Sequence, residues 1–454
     1  MKKVTKITVI CLSLFLVGCA ASHKEPKISL EQSQKPILVK KEKKIVTIPS
    51  FISQNPDDYT DMIPKHMQDA NQSMFEQQYF EVWNLINEEE LKEKMKWAFK
   101  SYNTQNAYGE NLQVIEQSFF DKMLDNANYE KFSTINKKAV TLRELNIRAY
   151  PTDKPLLMNP ELAGEGFPFD YLQNSTIHAN KPIVVTHYSK DKAWVHIQSS
   201  FTFGWVKTNE IVFIKEKYAK LWQQAQQVLI IKDDSPIYSK KGNFLFNSKL
   251  GMMLALVGED PQNYTVLVVA SSKNLQAYFT TAKISKNIAH KDILLFTQEN
   301  VSNVITELLK SNYGWGGMYG ERDCSSTLRD LFAPFGIWLP RNSYQQSKVG
   351  FVTSLENLSN EEKIAIIKES AIPFRTLLYK KGHIVLYTGT VNNNITVFQN
   401  MWGIKTKIDD KEGRYIIGKA LFSNIDFGKE LTYYDHNASF LNDLTSSADT
   451  QTVN

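Results

Sequence analysis

The chain has 454 residues, more than a single hydrophobic core organises, so about three domains are expected. Its formal charge is +5, and Lys2, Lys3 and Lys6 supply three of those charges at the extreme N-terminus. So weak a basic balance over the remainder gives no reason to expect nucleic acid as a partner, and past that N-terminal segment no stretch is long and apolar enough to cross a bilayer.

In chain order, the three lysines form a basic region ahead of an apolar run from Ile7 to Gly18. That run is too short for a spanning helix and fits the hydrophobic part of an export signal over residues 1–18. It ends Leu16-Val17-Gly18-Cys19, which resembles the bacterial lipobox. The resemblance implies cleavage before Cys19 and lipidation of its sulfur; a plain secretory signal is the alternative. Two or more acyl chains anchor stably, each buried methylene contributing about 0.8 kcal/mol. Ala20 after the cysteine resembles the outer-membrane pattern, so an exported lipoprotein on the periplasmic side of the outer membrane is expected. Residues 19–48, with Pro26, Pro36 and the run Lys40-Lys41-Glu42-Lys43-Lys44, read as a solvated tether.

Residues 49–138 carry a helical pattern. Asn87 with Glu90 three positions on suits a helix start, and Leu91, Met95, Ala98 and Phe99 follow at helical spacing. Near Val140 the texture changes to short β-branched runs between turns, among them Lys181-Pro182-Ile183-Val184-Val185, Trp194-Val195-His196-Ile197 and Gly204-Trp205-Val206. Such spacing predicts a small barrel over 139–215, and the ordered Trp-Val and Gly-Trp-Val pairs resemble bacterial SH3-like domains. A second barrel of the same kind is expected over 216–295. Residues 296–436 alternate helix and strand, and the polar residues 437–454 read as a flexible tail.

The chemistry gathers in the alternating region. The chain has three cysteines, Cys11, Cys19 and Cys324. If the export signal is removed and Cys19 carries lipid, Cys324 is the one remaining thiol and has no internal disulfide partner. Leu328, Leu331, Phe332 and Phe335 share one helical face, Asp323 suits the N-cap, and Pro334 disturbs the far end. Cys324 then lies in the first turn, where the helix dipole favours an anion and is expected to lower the thiol pKa from about 8.5. A thiol nucleophile needs a base. His383 opens the strand-like run His383-Ile384-Val385-Leu386-Tyr387, a turn follows at Asn392-Asn393-Asn394, and Ile395 to Asn400 reads as the returning strand. Antiparallel pairing brings Gln399 back toward His383, where its carbonyl suits one imidazole N–H.

Taken together, "YGWGG", "DCSS", "LPRNS", "GHIVLYTG" and "QNMWG" in this order resemble the NlpC-type papain-like cysteine peptidases of bacterial cell walls. The resemblance covers about residues 300–435. It implies a multidomain α+β protein: a helical N-terminal stabilising region, two small SH3-like β-barrels and a papain-like α+β catalytic domain. It implies Cys324 as nucleophile, His383 as base and Gln399 in the orienting position, where many family members carry His. Tyr313 matches a tyrosine beside the oxyanion, and Asp323 and Ser325 match positions that grip the free amine of a stem peptide. Arg341 and Ser343 are read as structural. The implied substrates are peptidoglycan stem peptides (muropeptides), cut between γ-D-glutamate and the diamino acid, with no cofactor and no metal. The alternatives are an inactive peptidoglycan-binding scaffold and an amidase cutting before L-alanine.

Overall fold

The computed structural model describes residues 52–65, 71–84, 88–271 and 274–450. Cys19, the signal segment, the tether and the helix cap at Asn87 lie outside the described residues. The helical region comprises α1 (Asp57–Thr60), α2 (Gln72–Asn84), α3 (Glu88–Lys94), α4 (Trp97–Ser101) and α5 (Gln117–Asn126). The apolar spacing from Leu91 to Phe99 thus divides between α3 and α4, with Leu91, Met95 and Ala98 buried.

The first barrel has β1 (Lys137–Thr141), β2 (Leu145–Arg148), β3 (Gln173–Ile177), β4 (Pro182–Tyr188), β5 (Trp194–Gln198), β6 (Phe203–Lys207) and β7 (Ile211–Phe213), in the order β3-β2-β6-β5-β4-β1-β7. The second opens with α6 (Glu216–Gln224) and continues through β8 (Gln227–Ile230), β9 (Pro236–Tyr238), β10 (Phe244–Asn247), β11 (Met253–Glu259), β12 (Asn263–Ser271), β13 (Ala277–Ser285) and β14 (Ala289–His290). One apolar cluster joins the helical region to both barrels: Phe75, Tyr79, Phe80 and Trp83 of α2 pack with Val140 and Val184 of one barrel and Leu229 and Met253 of the other. The Trp83 indole N–H donates to the Ile183 carbonyl at 3.0 Å, so this large side chain is buried with its polar atom satisfied.

The C-terminal region contains α7 (Gln298–Leu308), α8 (Cys324–Phe332), α9 (Ser343–Gln346), β15 (Phe351–Ser354), α10 (Asn360–Ser370), β16 (Thr376–Lys380), β17 (His383–Val391), β18 (Asn394–Ile408), β19 (Lys411–Asn424) and β20 (Leu444–Asp449). Its strands form one antiparallel sheet in the order β15-β20-β16-β17-β18-β19. Alternation divides the sheet into two faces. Ile384, Leu386 and Phe398 meet Leu328, Leu331 and Phe332 of α8 on one, whereas Leu378, Val385 and Val397 meet Ile367 of α10 on the other. Tyr59 and Ile63 belong to the first of these cores, so the N-terminal helical segment is partly core of the C-terminal region.

Residues 437–454, expected from their polarity to be a loose tail, are corrected here. Leu444–Asp449 is an interior strand, paired with β15 on one side and β16 on the other. The reason is size: Ser446, Ser447 and Ala448 are small, and an interior strand satisfies its backbone on both edges. Leu444 and Ala448 place one apolar side chain in each core.

Candidate active site

Asp323 caps α8 through a reciprocal pair of bonds: its Oδ1 accepts from the Ser326 N–H at 2.8 Å, and Ser326 Oγ accepts from the Asp323 N–H at 2.9 Å. That fixes Cys324 as the first helical residue. Asn400, fully buried on β18, holds the entry to the helix in place. Its Nδ2 donates to the carbonyls of Asn312 and Arg322 and to Thr327 Oγ1.

Cys324 is buried and packs in the core beneath α8. Backbone N–H groups of Ile384 and Ser325 reach its sulfur, so the residue next to His383 in sequence touches the thiol. These groups and Arg341 favour the thiolate. Burial opposes it more strongly, the Asp323 carboxylate adds to that, and the thiol is pushed up to about 12. The expected lowering is therefore corrected: the helix terminus supplies a local stabilisation that burial and a neighbouring anion outweigh.

His383 follows Gly382, whose φ of +85° closes the turn from β16. Leu386 pairs with Phe398, which sets Gln399 one step further along β18, within diagonal reach of His383. His383 Nε2 and Gln399 Oε1 are 2.7 Å apart, and Gln399 Nε2 donates to Ser423 Oγ at 2.7 Å. Since Ser423 takes the amide N–H, the amide oxygen faces the ring, Nε2 carries the ring proton, and Nδ1 keeps a lone pair. Burial, with help from the Lys380 charge, pushes His383 down to about 4 against the bond to Gln399. The ring is also held edge-on by Phe440 at 5.9 Å, a contribution from the segment expected to be a tail. Thiol and imidazole thus both rest neutral.

Tyr313 lies close enough to Cys324 and Asp323 that, after burial, their charges raise its phenol well above the ordinary value. Ser325 Oγ donates to Asp323 Oδ1 at 3.1 Å and accepts from Arg341 Nη1 at 3.1 Å. Asp323 is crowded. Oδ1 accepts from Ser325, from Ser326 twice and from Arg341, while Oδ2 accepts from Arg341 Nη2 at 2.7 Å. Burial works against the charge, yet Arg341 and the helix N–H hold the carboxyl below its usual range. Oδ2 retains room for one further donor.

Arg341, read from sequence as structural, is a central element of the site. Its Nε donates to Ser175 Oγ of β3 at 2.7 Å while the rest of the guanidinium holds Asp323, so it clamps the first barrel to the catalytic helix. Arg341, Asn400 and Ser423 were without a site role in the sequence. A lone arginine after Leu339-Pro340 was the available hint for the first; Ser423 offered none. The glycine loop before α8 completes the docking. Gly316 and Gly317 have φ of +58° and +82°, and a Cβ on either would strike Gln173 or Thr176 of β3. Trp315 Nε1 donates to the Asp170 carbonyl at 2.9 Å.

Cys324 opens onto a groove of about 870 Å³ walled by three regions: Trp97 and Tyr102 from the helices, Tyr171 and Phe201 from the first barrel, and Tyr313 and Tyr344 from the catalytic domain. Among the described residues no group of His, Cys, Asp and Glu is arranged to hold a metal, and no helix is long and apolar enough to cross a membrane.

Comparison with known proteins agrees with this architecture. Residues 8–132 match the N-terminal NLPC_P60 stabilising domain, 155–207 an SH3 domain of the SH3b1 type, 216–261 an SH3 domain of the SH3b2 type, and 310–416 the NlpC/P60 family. A search of curated proteins gave no match. Among solved structures, an NlpC/P60 endopeptidase from Photobacterium damselae subsp. piscicida superposes with a TM-score of 0.76 at 25% identity, covering 89% of this chain and 98% of that one. An NlpC/P60 family protein from Bacillus cereus gives a TM-score of 0.43 at 15% identity, covering 62% of this chain and 82% of its own. The chain thus combines an N-terminal stabilising domain, two SH3 domains and an NlpC/P60 domain of the peptidase type.

Proposed function

We propose that the chain is a cell-wall hydrolase that cuts peptidoglycan stem peptides as a γ-D-glutamyl-L-diamino acid endopeptidase, exported and held to the membrane by lipid on Cys19. Two arrangements support the catalytic part: the Ile384 N–H at the Cys324 sulfur, which brings the backbone beside His383 to the thiol, and the bond between His383 Nε2 and Gln399. In this reading Cys324 Sγ attacks the carbonyl carbon of the γ-amide while its proton passes to His383 Nδ1. The C–N bond breaks, and the departing amine takes that proton. A water then gives a proton to His383 and its oxygen to the thioester carbonyl, releasing the acid and returning the proton to sulfur. Gln399 keeps the imidazole in the tautomer that can accept. The Cys324 N–H at the start of α8 and the Tyr313 hydroxyl are the donors for the oxyanion. The remaining acceptor position on Asp323, beside Ser325, would receive the ammonium of a stem peptide with a free N-terminus.

Mass spectrometry of products from purified muropeptides tests this. The expected product pair is the γ-D-glutamyl dipeptide and the fragment beginning with the diamino acid. Cys324→Ala should lower the rate by about a thousandfold or more. Equal product from both proteins ends the cysteine assignment, and release of intact stems from glycan would transfer the activity to an amidase.

A further inference from the structure

A second cavity lies behind the groove, where α2, both barrels and α8 meet. It measures about 60 Å³, several times the roughly 10–15 Å³ that one water requires. Phe201 and Trp338 line both spaces and form the partition between them.

Two basic side chains that line this cavity have donors left unmet. Lys181 is only 3% exposed. Its Nζ stands 3.0 Å from the centre of the Tyr79 ring and 5.6 Å from that of Trp338, and among the described residues no carboxylate or carbonyl accepts a bond from it. On α8, Arg329 Nε and Nη2 bond Asp330 Oδ1, but Nη1 is buried with no partner. Asp330 does not also serve Lys181 as a bonded partner, because its other oxygen holds Arg322 Nε at 2.7 Å. Of the basic side chains around the cavity, Lys249 pairs with Glu144 and Asp234, and Arg322 with Asp233 and Asp330, which Arg329 shares; among the described residues Lys181 alone has no carboxylate bonded to it. His178 adds no charge, since burial keeps it neutral by pushing it down to about 3. Burial first, and then the Arg329 charge, push Lys181 well below the ordinary amine range, so an anion placed beside Nζ would favour its charged form.

We propose that this cavity binds a small aliphatic carboxylate, gripped between Lys181 Nζ of the first barrel and Arg329 Nη1 of α8, with its apolar part against Tyr79, Phe201 and Trp338. Aromatic walls favour such a ligand over sulfate or phosphate, whose whole surface must shed water. The bound carboxylate joins the barrel to the helix that begins with Cys324. Lys181 and Arg329 do not line the groove, so the site stands apart from the peptidase reading.

Sodium propionate is the probe. Calorimetric titration of the full chain at constant ionic strength in chloride is expected to show saturable one-site binding, with Tm rising as propionate is added. Lys181→Met and Arg329→Gln should each weaken binding about tenfold or more, the worth of one charge-assisted hydrogen bond. Sodium sulfate should bind more weakly than propionate. Absence of saturable binding to the wild type, undiminished affinity in Lys181→Met, or tighter binding of sulfate overturns the proposal. If Lys181→Met does not fold, Arg329→Gln and the wild-type melting curve decide it: undiminished affinity in that variant, or a Tm indifferent to propionate, overturns it equally.

Discussion

Replacing Gln399 by glutamate exchanges an amide NH₂ for an oxygen and leaves the shape of the side chain nearly unchanged. The Ser423 hydroxyl, which now accepts from Gln399 Nε2 at 2.7 Å, can rotate to donate instead. The new carboxylate would lie where Oε1 now sits, 2.7 Å from His383 Nε2, at a position with no solvent exposure. With charge centres about 4 Å apart and an effective dielectric of about 20, the attraction for an imidazolium is about 4 kcal/mol. Desolvation of the carboxylate takes back part of this, leaving a rise of about 1–3 pH units. His383 now stands at about 4, so the neutral base persists into acid. The acid limb of kcat/KM should therefore fall near pH 4 in the wild type and between about pH 5 and 7 in Gln399→Glu. Burial of the glutamate does not reverse the direction, because the pair binds its extra proton at a higher pH whichever group holds it. The assay is a pH profile of kcat/KM on a purified stem peptide, with Gln399→Leu as control. Leucine should cost about 10–100-fold with no upward movement of the limb. An acid limb in Gln399→Glu that coincides with that of the wild type would refute the coupling of Gln399 to the base.

Because burial and Asp323 hold the Cys324 thiol near 12, its alkylation by iodoacetamide should keep accelerating above pH 9; a plateau near pH 6 would instead reveal a standing thiolate–imidazolium pair. His187 and His196 are buried and neutral, His187 pushed down to about 4 and His196 well below its ordinary value, both by burial first. The unfolded chain binds protons there below pH 6.5 and the folded chain does not, so stability is full above pH 6.5 and falls toward pH 4 by about 1.4 kcal/mol per unit for each group; urea titrations at pH 7 and 5 showing equal midpoints would refute this. Gly317→Ala places a Cβ against Thr176 at a left-handed φ and should cost about 2–4 kcal/mol, read as a lower Tm with reduced activity. An unchanged Tm would mean that the barrel does not press on this loop.

What the sequence disclosed follows the range of the interactions involved. Helix α8 was legible because its signals are local: apolar residues at helical spacing and Asp323 as a cap. The β17–β18 hairpin was legible because Asn392 and Asn393, with φ of +48° and +67°, are residues that tolerate the left-handed conformation a two-residue turn needs. Arg341 was not legible as a clamp, since Ser175 is distant in the chain and only folding brings the barrel to it. The direction of the Cys324 shift was missed for the same reason. A dipole can be inferred from a helix start, whereas burial and the approach of a carboxylate belong to the tertiary structure. Strand β20 was missed because polarity was taken for exposure, although serine and alanine are small enough to sit inside a sheet.

The place of β20 between β15 and β16 bears on how the enzyme matures. Of all the strands in that sheet it is the last to leave the ribosome, yet it borders the strand that pairs with the one carrying His383. A nascent chain that has already exposed Cys324 and His383 still lacks the partner that closes the sheet. On the proposed reading, hydrolytic competence waits until Leu444–Asp449 has been made, and a chain broken off before Leu444 would carry the proposed catalytic side chains on an unfinished scaffold.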